Sequence, residues 1–247
     1  MILKGIHFSP NLKRSTTHPK LLVTFAFILI IFASCDAEIG NIKDVNPETV
    51  YTAYRVTYEV GDSIVLIRAQ FTFAGPKGTT LVLNSPAKIE LDGDSIAVDS
   101  TTGAGAFYLA HKQVSTFNGS HTLVFTGFNG TKYSQPFTFN AAALATPIPN
   151  QIPKEGLPFN FKGLLDYDSI HLRITDTSGA SNSIDTMLLV THNSAFVGKA
   201  LLQRLHPGRL TIRLDRDENL PMPNTTKEGG EFTVLQTLGE WQTTLRP

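Results

Sequence analysis

From Val50 onward the chain alternates apolar and polar residues with a period of two, and this constrains the fold more than any other feature. Tyr54, Val56, Tyr58 and Val60 alternate with Arg55, Thr57 and Glu59. After Gly61-Asp62-Ser63, the run Val65, Ile67, Ala69, Phe71 and Phe73 falls on one face. Successive side chains of a strand point to opposite faces, so such runs read as half-buried strands, and the pair reads as a hairpin over Gly61-Asp62-Ser63. "GPKG" is turn chemistry. Shorter strand-like runs follow in "TTLVLNS", "AKIELDG", "SIAVDS" and "GAFYLAH". In "HTLVFTGFNGTKYSQPFTF", Asn129-Gly130 separates two strand-like runs and predicts a type I′ hairpin turn.

The second half repeats the style. Ile170, Leu172 and Ile174 alternate with His171, Arg173 and Thr175, and after His206-Pro207-Gly208 come Leu210, Ile212 and Leu214. "LPFNFKG", "SIDTMLLVTHN", "SAFVGKALLQRL" and "EFTVLQTL" complete the set, with "GKALLQRL" readable as strand or helix. No segment of helical period reaches the usual helix length. Many short strands at regular spacing predict an all-β chain of β-sandwiches. The proline-rich, weakly charged stretch 141–156 breaks the alternation and reads as a linker. It separates an expected first sandwich, 50–140, from a second, 157–247. The final strand, in "EFTVLQTLGEWQTTLRP", has two options: pairing within its own domain or with a neighbour. In general pattern both halves resemble the Ig-like modules of Bacteroidota-type envelope lipoproteins, which implies tandem Ig-like antiparallel sandwiches. The Cys–Trp–Cys set of true Ig domains is absent; Trp241 lies near the end.

The N-terminus speaks to location. Lys4, Lys13, Arg14 and Lys20 occur among the first twenty residues with no acidic residue. An apolar run, Leu21 to Ser34, follows. It is shorter than the roughly 20 residues of a membrane-spanning helix and suits the apolar region of a secretory signal. "FASC" resembles a bacterial lipobox, with Phe32 where leucine is usual. The resemblance implies a signal peptide, 1–34, and diacylglycerol on the thiol of Cys35. It also implies a lipidated tether, 35–49, and attachment to the membrane through the N-terminal lipid. Asp36 and Glu38, split by Ala37, partly match a surface-export signal of the same envelope type. Cys35 is the only cysteine, so the chain has no intramolecular disulfide, cysteine-ligated zinc or second thiol. Without residues 1–34, 17 Lys and Arg stand against 21 Asp and Glu. A chain so balanced lacks the basic stripe of a nucleic-acid binder.

Motifs for chemistry are sparse. No Gly-x-Ser-x-Gly elbow occurs, and Ser120 and His121, adjacent on a strand, point to opposite faces. His111, His121, His171, His192 and His206 lack zinc-site spacing. Asp92 and Asp94, Asp166 and Asp168, and Asp215, Asp217 and Glu218 match no EF-hand loop and read as acidic turns. Asp62-Ser63-Ile64, Asp94-Ser95-Ile96, Asp168-Ser169-Ile170 and Asp185-Thr186-Met187 share one form, with Asp99-Ser100-Thr101 a weaker fifth. The form resembles the O-glycosylation motif of Bacteroidota-type exported proteins, which would place glycans on Ser63, Ser95, Ser169 and Thr186. It equally describes a turn followed by a strand start. Asn118, Asn129 and Asn224 head Asn-x-Ser/Thr sequons, which the bacterial lipobox sets aside. The expectation is a non-catalytic, lipid-anchored protein of the outer membrane without cofactor or metal. It would act in adhesion or as an accessory subunit beside an envelope protein partner; the alternative is a glycan- or other ligand-binding surface lipoprotein.

Overall fold

The computed structural model describes residues 38–101, 103–176 and 183–247. The expected signal peptide and Cys35 lie outside them. The strands are β1 (Ile39–Asn41), β2 (Val50–Glu59), β3 (Ile64–Phe73), β4 (Thr79–Val82), β5 (Lys88–Leu91) and β6 (Asp94–Ser95). Then come β7 (Val98–Thr101), β8 (Gly105–Gln113), β9 (Gly119–Thr126), β10 (Lys132–Phe139), β11 (Ala143–Leu144) and β12 (Gln151–Ile152). The second half holds β13 (Gly156–Lys162), β14 (Ser169–Asp176), β15 (Ser183–Leu189), β16 (Ser194–Gly198), β17 (Gly208–Asn219) and β18 (Gly230–Leu245). "GKALLQRL" contributes the last residue of β16 and a four-residue helix, α1 (Lys199–Leu202).

The alternation builds two hydrophobic cores. In the first, Val56, Ile67 and Phe71 of β2 and β3 pack with Leu91, Leu123, Phe125 and Phe139 of β5, β9 and β10. The Phe71 and Phe125 rings meet at 4.6 Å. In the second, Ile170, Leu172 and Ile174 of β14 and Leu210, Ile212 and Leu214 of β17 pack with Leu157, Phe159, Phe161 and Val197 of β13 and β16. A fully buried aliphatic side chain contributes about 1.5–3 kcal/mol, so these stripes decide which face of each strand turns inward. The second core lies between the strand order β12-β18-β17-β14-β15 and the smaller sheet β11-β13-β16. Antiparallel β18, β17 and β14 opposed to β13 and β16 is the G-F-C over B-E arrangement of an Ig-like sandwich.

The two sandwiches share a sheet. β17 and β18 pair from Gly208↔Leu245 to Asn219↔Thr233. The first half of β18 also runs parallel to β2, from Gly230↔Thr52 to Thr237↔Glu59. Phe232 and Val234 therefore enter the first core, while Leu238 and Leu245 enter the second. The final strand thus pairs both within its own half and with the other. A bulge manages the passage: Leu214 is opposite Gly239 but Asp215 is opposite Thr237, so Leu238 is an extra residue. Buried positions of β18 accordingly switch from 232, 234, 236 and 238 to 243 and 245, while β17 keeps its even positions inward. Gly239 sits at φ +132°, and a Cβ there would lie 2.7 Å from the Trp241 ring.

Next to this bulge, buried Gln236 ties the two halves together. Its Nε2 donates to the Asn140 carbonyl at 3.0 Å, and its Oε1 accepts from the Ala142 N–H at 2.8 Å. The stretch 141–156 is accordingly not a free linker. Ala142 and Ile152 are fully buried, and β11 and β12 pair with β13 and β18. Nor are residues 39–49 tether: β1 pairs with β4, two 3₁₀ turns follow, and Ile42 is fully buried in the first core.

Three local expectations meet different outcomes. The hairpin over Gly61-Asp62-Ser63 forms, with Gly61 at φ +101° and the Asp62 N–H donating to the Glu59 carbonyl. The Asn129-Gly130 hairpin forms too, but not through a type I′ turn. Its loop has five residues, 127–131, closed by the Gly127 N–H donating to Thr131, and only Gly130 has positive φ. Asn129 Oδ1 accepts the Thr131 N–H at 3.0 Å, which satisfies the turn without a left-handed asparagine. Paired positive φ angles occur instead at His192 (+50°) and Asn193 (+58°), inside the Thr191–Ser194 turn. Phe73 leaves the core-facing stripe. It ends β3 beside a turn that opens with Ala74 at φ +65°, and Thr72 is buried in its place.

Gln236→Ala would strand the Asn140 carbonyl and the Ala142 N–H in a buried site. It is expected to lower the unfolding free energy by on the order of 3 kcal/mol. Urea unfolding followed by Trp241 fluorescence and by far-UV circular dichroism measures this. One shared transition is expected for the wild-type chain, because β18 belongs to both cores.

Candidate functional surface

Outward-facing positions of the shared sheet carry the charge. His171 is opposite Asp215, and Arg173 is opposite both Arg213 and Asp185. Two arginines directly across a ladder repel. Asp215 relieves this by accepting from Arg173 Nη2 at 2.9 Å, Arg213 Nε at 2.7 Å and Arg213 Nη2 at 3.0 Å. The Thr237 hydroxyl adds a fourth donor at 3.0 Å. Burial pushes the Asp215 carboxyl up, but the hydrogen bonds from Arg213, Thr237 and Arg173 outweigh it and hold it below the usual range. The hydrogen bond to Asp215 likewise raises Arg213. At the edge of the cluster His171 Nε2 lies 2.5 Å from Asp185 Oδ1. A proton-transferring carboxyl at neutral pH needs a raised pKa; Asp215 has the opposite shift, and its contacts order the side chains of Arg173, Arg213 and Thr237.

Beside the cluster, loop 163–168 presents apolar side chains. Leu165 is 63% exposed and Tyr167 79% exposed, and Tyr167 sits at φ +75°. That backbone region costs a bulky residue about 1–3 kcal/mol and persists only where its surroundings enforce it. Here they do. Asp168 Oδ2 accepts the Leu165 N–H at 2.7 Å, and Asp168 Oδ1 takes Arg216 Nη2 at 3.2 Å. Asp166 Oδ1 accepts the His192 N–H at 2.6 Å, and the Tyr167 N–H donates to the Val190 carbonyl at 2.9 Å. Met187 and Leu189, also exposed, stand on β15 opposite His171 and Ser169. β15 pairs only with β14 among the described residues, so this apolar strip ends at a free sheet edge.

The other sequence candidates scatter. Ser63 lies in the exposed turn between β2 and β3, and Ser95 is exposed on β6. Ser169 and Thr186 are half-buried; Thr186 shares the inward side of β15 with Ile184 and Leu188. His121 turns away from Ser120. Its ring stacks on Phe117 at 3.9 Å, with Nδ1 2.7 Å from Asp92 Oδ2 and Nε2 2.8 Å from the Phe117 carbonyl. Asp94 pairs with Lys112, and Arg216 pairs with Glu218. Among the described residues no group of three or more His, Cys, Asp or Glu side chains is placed to hold a metal ion. Among them, too, no helix is long and apolar enough to cross a membrane. Tyr167 escaped the sequence reading because "LDYDS" gives no sign that its middle residue is left-handed. The Asp215 cluster escaped because its three strands meet only through pairing.

No family model matches the chain, and no curated protein matches it. Solved structures with some likeness include a tetra-tandem repeat from the extending region of a large adhesion protein, at 16% identity and TM-score 0.27. That overlap covers 78% of this chain and 49% of the other, so the chain spans about half the length of the repeat structure. The paired Ig domains of DIP-gamma overlap 80% of this chain and 95% of theirs, at 8% identity and TM-score 0.21. A Bacteroides ovatus glucan-utilization protein, SGBP-B, solved with a mixed-linkage heptasaccharide, overlaps 80% of this chain and 60% of its own. Its identity is 12% and its TM-score 0.22. Likenesses this distant carry no argument about role; the architecture rests on the strand pairing itself.

Because its pKa is depressed in the folded state, Asp215 stabilises the fold fully above the ordinary Asp value of 3.8, and this contribution disappears as pH falls through the lower folded-state value. Asp215→Asn is expected to be less stable than wild type at pH 7. The two should converge in acid below pH ~3.8, as read from urea midpoints across a pH series.

Proposed function

We propose that the chain is a lipid-anchored protein of the bacterial cell envelope that holds a protein partner and catalyses no reaction, acting in adhesion or as an accessory subunit of an envelope complex. The observation that carries this reading is the braced loop with Tyr167. An exposed aromatic side chain on a strained backbone costs stability and contributes nothing to either core. Exposed aromatic anchors of this kind dominate the energetics of protein interfaces, and Leu165, Met187 and Leu189 supply an apolar surround. The anchor is supported by the lipobox-like "FASC". Glu38 is the first described residue, and its carbonyl already accepts the Thr80 N–H, so two residues separate it from Cys35.

The test uses protein from its native envelope. Intact mass is expected to show a chain beginning at Cys35 with acyl mass. A photo-crosslinking amino acid at Leu189 is expected to capture one discrete envelope protein. Tyr167→Gly removes the ring and relieves the backbone, so it should abolish that crosslink while raising stability by about 1 kcal/mol. An unmodified Cys35 with residues 1–34 retained would overturn the lipid anchor. A crosslink indifferent to Tyr167, or capture of glycan alone, would overturn the partner surface.

A further inference from the structure

The outer face of the shared sheet carries a second cross-strand arginine pair, and this one has no carboxylate between its members. Arg55 of β2 is directly opposite Arg68 of β3. In the first pair, Arg173 and Arg213, Asp215 sits between the guanidinium groups. Among the described residues neither Arg55 nor Arg68 forms an ion pair, and the buried Nε of Arg68 has no hydrogen-bond partner. Arg68 is nonetheless held in place. Its guanidinium lies 4.5 Å from the centre of the Phe107 ring, a cation–π contact. The segment leading into Phe107 is fixed by Gln70, whose Nε2 donates to the Ala104 and Ala106 carbonyls at 2.8 and 3.2 Å. Burial and the neighbouring Arg55 both work against the charge on Arg68. A shallow recess lined by Ala53, Arg55, Arg68, Gln70 and Glu231 opens onto the pair.

We infer that the Arg55–Arg68 pair is a binding site for a carboxylate of the protein partner, an acidic side chain that takes between these arginines the place Asp215 takes between Arg173 and Arg213. Like charges directly across a ladder destabilise it, so a fold that keeps them paired and oriented gains only when an anion arrives. Guanidinium groups match a carboxylate through paired N–H donors. The site lies on an open sheet face, with Leu66 exposed near it, which suits a protein surface. Among the described residues Glu231 is the one carboxylate lining the recess, and it forms no ion pair with either arginine. The identity of the ligand as protein rests on the function proposed above; the presence of an anion site does not.

The experiment follows the arginine Nε–H resonances of the intact, detergent-solubilised chain by NMR. Hexaglutamate, oligogalacturonate, inorganic phosphate and, as the ionic-strength reference, chloride are titrated separately. Hexaglutamate is expected to shift Arg55 and Arg68 saturably and beyond the chloride reference, leaving Arg173 and Arg213 unmoved. Arg55→Gln and Arg68→Gln should each weaken that binding about tenfold, and Arg55→Gln should raise the urea midpoint of the ligand-free chain. A response of Arg68 no larger than that to chloride would overturn the site. Tighter binding of oligogalacturonate or phosphate than of hexaglutamate would overturn its assignment to a protein carboxylate. Lower urea midpoints in both Arg55→Gln and Glu231→Gln would overturn it too, by showing Glu231 to be the internal counter-ion. Hexaglutamate has no apolar side chain to engage Tyr167, so this result and the crosslinking result stand or fall separately.

Discussion

Two hydrogen bonds from one buried amide hold the architecture to a single solution. Gln236 sits where β18 leaves the first core, and it grips the backbone at Asn140 and Ala142, where the chain leaves the first sandwich for the second. A buried amide group left unpaired is costly, so the crossing strand and the crossing segment fix each other. The bulge at Leu238 then lets one strand serve two cores. An added residue reverses the side on which every later side chain lies, so β18 can feed Phe232 to one core and Leu245 to the other within one continuous sheet. Hinge motion about residues 141–156 would have to break the β2–β18 ladder, which runs for eight paired positions.

Much of the fold was legible from alternation alone, for a simple reason. A strand with one buried face writes that face into every second residue, and Tyr54 to Val60, Ile170 to Ile174 and Leu210 to Leu214 do so without interruption. What alternation does not encode is which strand lies beside which. Nothing local in "EFTVLQTLGEWQTTLRP" says that its first half pairs in parallel with a strand 178 positions earlier. The bulge did leave a mark, since the buried stripe changes phase at Gly239, but a phase change in a sequence reads equally well as a strand end. The linker was misleading for a related reason. Prolines disfavour ladder pairing, yet burial of Ala142 and Ile152 needs only a few paired positions at the sheet margins, and short edge strands are where proline-rich chain fits.

The proposed interaction surface was less legible because it depends on backbone conformation and on pairing, neither of which composition records. Tyr167 lies between two aspartates that read as turn formers. They are turn formers, with a result beyond the turn: Asp166 and Asp168 spend their oxygens on the His192 and Leu165 N–H groups and on Arg216, and the residue between them is displayed. The charged ladder followed the same logic. Arg173, Arg213 and Asp215 occupy the polar phase of their strands, where any solvated side chain would satisfy the pattern, and only the register turns them into a cluster.

Exposed ion pairs contribute little stability, so the cluster is better understood through order than through energy. Four donors converge on Asp215 from three strands, which fixes the rotamers of Arg173, Arg213 and Thr237 on an otherwise open face. A surface with fixed side chains loses less conformational entropy when a partner docks. The same reasoning applies to the strained loop: its ordering cost is met during folding, by the hydrogen bonds of Asp166 and Asp168, and would not be met again in the proposed docking. Rigid sheet, braced loop and ordered charges thus act in one direction. For the proposed association they would shift entropic cost from binding to folding, and the two cores joined through β18 are what allow the fold to carry it.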